Sequence, residues 1–241
     1  MPRNYHEEKT IEEKWREAKN FTIAGALTLG TLMGVSSMMD KKLDVDRTPQ
    51  GIERSIANLN YSLDPVAEPL YSVNGKLLRA GRFQHLFEHF ENTYQLEPGI
   101  LAGLAIQESF AEPTMLNYSN DGGVGMFQFM PGTARNYGLN VHGNSTLSSR
   151  DIAHGREMRR LVNNYNHNLE KLIEYDERFD PIKSADAAAK YLNDLYIQHG
   201  NLDAALSAYN QGRPARNPRS TRHVQGVRKY QDLYLSHTNN K

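Results

Sequence analysis

The sequence predicts an all-α protein. From Lys76 onward, apolar residues recur at the three- and four-residue spacing of amphipathic helices. No alternating apolar and polar pattern lasts longer than a few residues, so nothing indicates a β-strand. Hydrophobic residues make up 39% of the chain and charged residues 23%, which is typical of a globular protein rather than a disordered one.

Length, charge and cysteine content narrow the class of protein further. The chain of 241 residues is long enough for one good-sized domain with extensions. Its formal net charge of zero gives no reason to expect nucleic acid or an anionic surface as a partner. The chain has no cysteine, which excludes disulfide bonds, thiolate metal sites and a cysteine nucleophile but leaves the compartment open.

The N-terminal part of the chain divides into a charged and an uncharged segment. Residues 1–20 carry nearly balanced acids and bases and predict a solvated helix. Residues 21–39 contain no charged side chain, and a helix over them would extend roughly 28 Å, close to the thickness of a hydrocarbon core. Ala26, Gly30 and Gly34 place small residues on one face of this helix, a pattern of helix packing in membranes.

Three interpretations of residues 21–39 are open. The absence of charge favours a single membrane span. The threonines and serines of the segment also fit a helix that packs inside a soluble protein or against a partner. A cleavable signal peptide is the third interpretation, although the leading segment is not net positive and no A-x-A site follows. Lysine and arginine are similarly frequent on both flanks, so the positive-inside rule assigns no orientation.

A linker and a helical domain are predicted to follow. Residues 40–75 are polar and broken by prolines, as in a connector. Residues 76–235 form the predicted catalytic domain, and residues 236–241 form a tail. The first helix of the domain carries an apolar stripe of Phe83, Leu86, Phe87, Phe90 and Tyr94.

The remaining helices are predicted from apolarity and from capping signals. The stretch from Ile100 to Phe110 is mostly apolar and predicts a buried helix. A further helix is expected to begin near Pro131, because proline suits the first helical turn. Residues 148–175 predict one or two charged helices. Two later helices are expected over Ser184 to His199, ended by Gly200, and from Asn201 through Tyr209, with Ser184 and Asn201 as N-caps.

The first motif that indicates chemistry is Glu108 at the end of the buried helix. Taken alone, a glutamate at a helix end is more often a solvated residue. The residues before it are apolar, however, and an acid in an apolar environment has a raised pKa. A general acid that works near neutral pH requires such a pKa.

Two further motifs follow along the chain. Residues 119–131 are rich in glycine, which lets the backbone approach a ligand, and Gln128 offers an amide donor and acceptor. This stretch alone fits a plain turn equally well. Residues 208–212 contain Tyr209 and Asn210 at a helix end, where they also fit a cap and a packing residue.

Taken together and in this order, the motifs resemble the catalytic domain of the soluble lytic transglycosylase family, which is related to goose-type lysozyme. The resemblance covers residues 80–230, and the stretches 135–139 and 176–181 are closest to the membrane-bound lytic murein transglycosylases. The matching residues are Glu108, Ser109, Ser119, Gly122, Gly125, Gln128, Met130, Pro131, Thr133, Ala134, Asp180, Pro181, Ser184, Ala208, Tyr209, Asn210 and Gly212.

The resemblance implies an all-α, lysozyme-like domain that cleaves the β-1,4 bond between N-acetylmuramic acid and N-acetylglucosamine in peptidoglycan. Glu108 would be the single catalytic residue, and the muramoyl 6-hydroxyl would attack C1 to leave a 1,6-anhydro end. Tyr209 would orient Glu108 by a hydrogen bond. No cofactor and no metal are implied. The implied substrate-binding residues are Ser109, Ser119, Gly125, Met126, Gln128, Tyr209 and Asn210.

Two acids between Glu108 and Gln128 leave a goose-type hydrolase as an alternative. Glu112 precedes Pro113, where the helix is expected to end, so its side chain is expected to have no fixed direction. Asp121 lies among glycines and is expected to be a turn residue. With neither acid placed to activate water, we expect transglycosylation rather than hydrolysis.

The chain departs from the family pattern in two places. His223 stands where family members often carry a tyrosine, and residues 143–175 are longer than the usual connection.

His85, Glu88 and His89 match the H-x-x-E-H pattern of zinc proteases. Both histidines are expected opposite the apolar stripe of their helix, facing solvent, so no zinc site is predicted.

The expected location is the cell envelope, with an inner-membrane anchor and the catalytic domain in the periplasm. The alternative is a phage virion or a secretion machine, in which a lysozyme-like domain is structural or opens the wall locally. The expected partners are peptidoglycan glycan strands and, according to the setting, a membrane or a phage or secretion assembly. No nucleic acid is expected.

Overall fold

A computed structural model of the protein describes residues 61–239. Within this range there is no strand, and only isolated bridges join Leu116 to Val124 and Val124 to Phe129. The all-α prediction is therefore confirmed for the domain. The predicted helices over residues 1–20 and 21–39 lie outside the described residues.

The domain is a succession of helices joined by short connections and one long loop. We number them α1 (Val73–Gly81), α2 (Gln84–Thr93), α3 (Ile100–Ser109), α4 (Pro131–Asn136), α5 (Ile152–Asn164), α6 (Leu169–Tyr175), α7 (Pro181–His199), α8 (Leu202–Gln211) and α9 (Arg222–Thr238). Among these helices, none is both long enough and apolar enough to cross a bilayer.

Helix α3 lies at the centre of the core. Every residue from Ile100 to Ile106 is buried, as expected for a helix that is apolar on all sides. Helix α9 packs closely along it, because a Cβ at Gly103 would lie 2.5 Å from the Val227 carbonyl oxygen and one at Gly226 would collide with the Gln107 side chain. This close approach brings the first turn of α9 beside the last turn of α3.

The start of α3 is held by a buried glutamate of α2. The Glu91 carboxylate oxygens accept hydrogen bonds from the backbone N–H groups of Gly99 and Leu101, both at 2.8 Å. Burial raises the pKa of Glu91 to about 7, although these two hydrogen bonds favour its charged form. Helix α3 is thus anchored at the end opposite Glu108.

The capping signals predicted the end of α7 and the start of α8 correctly, and the start of α7 wrongly. Gly200, with a φ of 66°, ends α7, and the Asn201 side chain caps α8, as predicted. The prediction that Ser184 begins α7 is wrong, because the helix begins at Pro181. Asp180 is the cap, and its carboxylate accepts hydrogen bonds from two backbone N–H groups of the first turn. Asp-Pro supplies both a cap and a suitable first residue, so the helix starts there.

The chain between residues 143 and 175 forms a support for the Gly-rich loop. Its helices α5 and α6 were predicted as one or two charged helices, and they enclose a second hydrophobic cluster of their own. That cluster consists of Val124, Met158, Leu161, Val162, Leu172 and Phe179. Since Val124 belongs to the Gly-rich loop, the extra helices pack directly against that loop.

A buried ion pair also holds the Gly-rich loop in place. The Arg178 guanidinium is fully buried, lies 2.8 Å from the Asp176 carboxylate, and approaches a ring nitrogen of His154 at 2.6 Å. It also donates to the carbonyl oxygens of Gly122 and Phe129, at 2.9 and 3.0 Å. A buried charge requires such partners. Arg178 therefore fixes both ends of the segment that carries Gln128.

The two histidines of α2 do not share one environment. His85 is exposed, as predicted, but His89 is half-buried, and its Nε2 atom has no hydrogen-bond partner among residues 61–239. The expectation that both face solvent is wrong for His89. Helix α2 packs against α7, and the His89 ring lies edge-on to Phe90, with ring centroids 5.0 Å apart.

Candidate active site

Glu108 lies in the last turn of α3, where the apolar helix ends. Phe110 adopts a left-handed conformation, with a φ of 60°, and stops the helix just beyond it. The Glu108 side chain is only 15% exposed. Burial, and secondly the negative charge of Asp121, raise the pKa of Glu108 to about 8. At neutral pH, Glu108 therefore holds a proton that it can donate.

A polar cleft of about 420 Å³ opens over Glu108. Its walls come from the Gly-rich loop, the first turn of α4, residues 148–150 and the end of α8. A second cavity of about 470 Å³ adjoins the first and shares Thr133, Ser148, Tyr191 and Gly212 with it; we refer to the two together as the groove. The cleft is lined by Glu108, Asn117, Asp121, Gly123, Gln128, Phe129, Met130, Thr133, Ser148, Ser149, Arg150, Tyr191, Tyr209, Asn210, Gln211 and Gly212.

The structure brings some of the predicted site residues together and leaves others outside the cleft. Gln128, Tyr209 and Asn210 line the cleft with Glu108. Ser119 does not line it. Its side chain is exposed, and its hydroxyl donates to the Asn117 amide oxygen at 3.0 Å.

Ser109, Gly125 and Met126 lie behind the cleft and build the loop. The buried Ser109 hydroxyl donates to the Met126 carbonyl oxygen at 2.7 Å, while the Met126 side chain is fully buried. Gly125 has a φ of 80° and leaves no room for a Cβ against the Arg178 carbonyl group. These positions indicate that the three residues support the loop rather than contact substrate.

Gln128 faces the cleft with its amide group. It has a left-handed backbone, with a φ of 51°, and its amide nitrogen donates to the carbonyl oxygens of Gly125 and Met115 at 2.8 and 3.2 Å. These bonds use the donor end of the amide and orient the group. The amide oxygen, which accepts no hydrogen bond from residues 61–239, is left to accept one from a ligand hydroxyl.

Tyr209 is close to Glu108 but is not its hydrogen-bond partner. The Tyr209 hydroxyl donates to the Phe127 carbonyl oxygen at 3.1 Å, so the expectation that it orients Glu108 is wrong. Burial, and secondly the charge of Glu108, raise the pKa of Tyr209 well above its usual value. The Tyr209 ring lies 5.0 Å from that of Tyr191, which lies 4.9 Å from Tyr137. This row of rings runs from the cleft into the second cavity.

His223 approaches the Glu108 carboxyl most directly. It lies in the first turn of α9, is 8% exposed, and its Nδ1 atom is 3.7 Å from Glu108 Oε1. Burial lowers the pKa of His223 to about 4, so the imidazole is neutral at neutral pH. Within residues 61–239, no hydrogen bond reaches the Glu108 carboxyl group.

The two other acids considered from the sequence are both held by neighbours. The Asp121 carboxylate accepts from the Asn117 side chain at 2.8 Å and from the Gly123 backbone N–H at 3.0 Å, as expected of a turn residue. Glu112 lies 3.6 Å from Arg82, so the expectation that its side chain has no fixed direction is wrong. Glu112 does not line the cleft, whereas Asp121 does.

Several residues that shape the site were not identified from the sequence. Arg178 holds the loop and Glu91 holds α3, but each acts on residues far from it in the chain. Asp176 and Arg178 stood in a stretch noted only for its family resemblance. In the described part of the chain, no three acidic or histidine side chains are grouped to hold a metal ion.

A helical domain whose cleft contains a buried, protonated glutamate at the end of an apolar helix has the features of a lysozyme-like, glycan-cleaving domain. Comparison with protein families specifies this class: the profile of the transglycosylase SLT domain matches residues 85–155 and 156–231. The chain belongs to this family, whose fold is lysozyme-like and whose substrate is peptidoglycan. A search of curated proteins finds no match.

Proposed function

We propose that this protein is a lytic transglycosylase that cleaves the bond between N-acetylmuramic acid and N-acetylglucosamine and leaves a 1,6-anhydro end. Glu108 is the catalytic acid and base in this proposal. The observation that carries it is the state of Glu108: a carboxyl group in the wall of a groove, kept protonated at neutral pH by burial.

The proposed reaction has two steps. The Glu108 carboxyl first donates its proton to the glycosidic oxygen as the bond from C1 to that oxygen breaks, and the N-acetylglucosamine leaves with a new 4-hydroxyl. The muramoyl 6-hydroxyl then bonds to C1 and gives its proton to the Glu108 carboxylate. This restores the acid and consumes no water. The nucleophile belongs to the same sugar, so its effective concentration is high.

The position of the second carboxylate in the cleft supports this route over hydrolysis. An inverting or retaining hydrolase needs a second carboxylate to activate water or to act as a nucleophile. Asp121 lines the cleft, but both of its oxygens already accept hydrogen bonds from the loop. Hydrolysis with Asp121 as the base is the second candidate, because Asp121 is the acid that shares the cleft with Glu108.

The groove suggests how a glycan strand is held. Gln128 and Asn210 line the cleft and offer amide groups to sugar hydroxyl and acetamido substituents. The rings of Tyr209, Tyr191 and Tyr137 continue along the groove and offer apolar surface to the faces of sugar rings. Such a groove suits several units of a polymer rather than a single sugar.

The decisive experiment is digestion of purified sacculi in heavy-oxygen water, followed by mass spectrometry of the muropeptides. A lytic transglycosylase gives 1,6-anhydro ends that carry no heavy oxygen and resist borohydride reduction. A hydrolase gives reducible ends that carry it. Glu108→Gln provides the control, since its amide cannot donate the proton. Chiefly labelled, reducible ends would make the protein a lysozyme-type hydrolase and Asp121 the first residue to substitute.

We also propose a setting for the activity, the cell envelope. Residues 21–39 would anchor the protein in the inner membrane, with the catalytic domain in the periplasm. The support is the uncharged length of this segment together with a peptidoglycan substrate. A phage virion or a secretion machine is the alternative setting, and cell fractionation distinguishes them.

A further inference from the structure

Tyr209 does not orient Glu108, because its hydroxyl donates to the Phe127 carbonyl oxygen, so another residue must take this role. A general acid needs a defined direction, because the proton must point at the glycosidic oxygen. The apolar end of α3 supplies no hydrogen bond to the carboxyl, and Asp121 is an acceptor already engaged with Asn117 and Gly123. The imidazole of His223 contacts the carboxyl directly, with Nδ1 at 3.7 Å from Oε1.

Helix packing fixes His223 at this position. Gly226 lies one turn after it on α9 and contacts Gln107, the neighbour of Glu108, so closely that a Cβ would not fit. The Thr221 hydroxyl accepts from the Val224 backbone N–H and caps the start of α9. The first turn of α9 is therefore held against the last turn of α3, with His223 opposite Glu108.

The surroundings of the ring decide which nitrogen carries the proton. Nε2 of His223 is buried and has no hydrogen-bond partner among residues 61–239. A proton there would leave a buried N–H donor unsatisfied, which is costly. A proton on Nδ1 instead faces Glu108, whose Oε1 atom lies 3.7 Å from Nδ1. This separation is longer than a hydrogen bond, so the two groups must approach each other for the bond to form. The neutral tautomer with Nδ1–H is thus favoured.

We propose that His223 is a positioning residue for Glu108: its Nδ1–H donates to Oε1 and leaves Oε2 to carry the catalytic proton toward the substrate. This inference rests on the proposed function. The same donor stabilises the carboxylate that forms when Glu108 gives up its proton, and it strengthens as negative charge develops. The histidine that replaces the family's usual tyrosine thereby takes the orienting role that Tyr209 does not take here.

The other titratable groups around the pair act in a different sense. Asp121, from the Gly-rich loop, disfavours the Glu108 carboxylate by charge repulsion. The pKa of Tyr209, from α8, is raised well above its usual value by burial and, once Glu108 is ionised, by the Glu108 charge, so the phenol is neutral. Neither donates a hydrogen bond to the carboxyl. Arg150 also lines the cleft and carries a positive charge. His223, from α9, is in direct contact with the carboxyl at 3.7 Å and favours the carboxylate as a donor, so its removal raises the pKa of Glu108.

Three substitutions in the full-length protein test the role of the Nδ1 donor. His223→Asn keeps a donor near the position of Nδ1, His223→Gln moves the donor to the position of Nε2, and His223→Leu removes it. We expect kcat on sacculi to fall about tenfold to a hundredfold in the Gln and Leu variants, as for loss of a hydrogen bond to a charged group, while the Asn variant stays close to the parent.

The pH profile separates positioning from mere packing. Glu108 must be protonated in the free enzyme, so kcat/KM falls as pH rises through its pKa. Loss of the donor raises that pKa, and the fall should move to higher pH in the Leu variant but not in the Asn variant. An Asn variant as impaired as the Leu variant, or an unshifted profile in the Leu variant, overturns the role of His223.

Failure of the proposed function would look different. In that case Glu108→Gln, assayed in parallel, would keep its activity, or the parent would release no cleaved glycan. If the parent cleaves and Glu108→Gln does not, the proposed function stands, and the His223 variants report on positioning alone.

Discussion

At the scale of single residues, the site depends on the protonation of one carboxyl group. Burial and the nearby charge of Asp121 raise the pKa of Glu108 to about 8, so the acid form predominates at neutral pH. The proposed reaction begins with this acid form. Activity should therefore persist at neutral pH and decline as pH rises through the pKa of Glu108.

Asp121→Asn should move that decline to lower pH. The substitution removes the negative charge that raises the pKa of Glu108, so the carboxyl loses its proton sooner. The measurement is kcat/KM on sacculi as a function of pH. Glu112→Gln makes the same change of charge outside the cleft, beside Arg82, and should leave the profile in place. Equal profiles in the parent and in Asp121→Asn would contradict this electrostatic account.

Glu108→Gln should abolish cleavage and also stabilise the fold at neutral pH. General acid–base catalysis contributes roughly 10²–10⁴-fold, and the amide cannot supply it. The pKa of Glu108 is raised from its ordinary value of 4.5 to about 8 in the folded protein, so between these pH values the unfolded chain releases a proton that the folded protein keeps, and unfolding becomes more favourable. This loss of stability grows as pH rises from 4.5 to about 8, and glutamine removes it.

Thermal and urea unfolding at acidic and neutral pH measure this effect. Near pH 4 the two proteins should be nearly equal in stability. At neutral pH the variant should be more stable, by on the order of 1 kcal/mol or more, because one pKa unit corresponds to about 1.4 kcal/mol. If Glu108→Gln were less stable than the parent at neutral pH, the burial of Glu108 would not be destabilising the folded protein.

At the scale of elements, the Gly-rich loop depends on helices that follow it in the chain. Arg178→Met should lower the free energy of unfolding by about 3–5 kcal/mol, because it leaves the buried Asp176 carboxylate without its partner. The loop carbonyls of Gly122 and Phe129 lose their donor as well. Urea unfolding measures the cost, and activity should fall with it.

The double variant Arg178→Met with Asp176→Asn is the matched control. It removes the buried charge along with its partner, so it should recover part of the stability that Arg178→Met loses. A double variant that is as unstable as the sum of the two single variants would mean that the pair is not coupled.

Helix ends could be predicted from the sequence, whereas the supports of the site could not. Gly200 and Asn201 were identified because a cap acts on its own turn. Ser184 was predicted wrongly as the cap of α7, because serine is a common capping residue and the Asp180 cap one turn earlier was not considered. Arg178 and Glu91 act on backbone groups that the chain brings to them only in the folded state. No local pattern identifies such contacts.

The candidate site itself was only partly predictable for the same reason. The motifs brought Glu108, Gln128, Tyr209 and Asn210 to one cleft. They did not indicate which of the loop residues point inward, since a left-handed turn can send neighbouring side chains to opposite sides. His223 was noted as a departure from the family, but its contact with Glu108 arises from the packing of α9 on α3.

At the scale of the whole molecule, residues 21–39 should direct the protein to a membrane. The full chain should sediment with membranes and require detergent for release, because its uncharged stretch is long enough to span the hydrocarbon core. Fractionation of cells that express the full chain, beside a chain lacking residues 1–39, measures this. A full chain that stays in the supernatant without detergent would favour a packing helix in an assembly.

The close packing of α9 along α3 also sets the order in which the protein becomes active. Of the described helices, α9 is the last to be synthesised, yet it covers the apolar helix that ends in Glu108 and borders the carboxyl itself. When synthesis has reached residue 221, every motif of the cleft has been made, but helix α9, which packs over α3, has not. A chain cut short there, or clipped before α9, keeps its glutamate in an exposed, unsupported helix and should leave the cell wall intact.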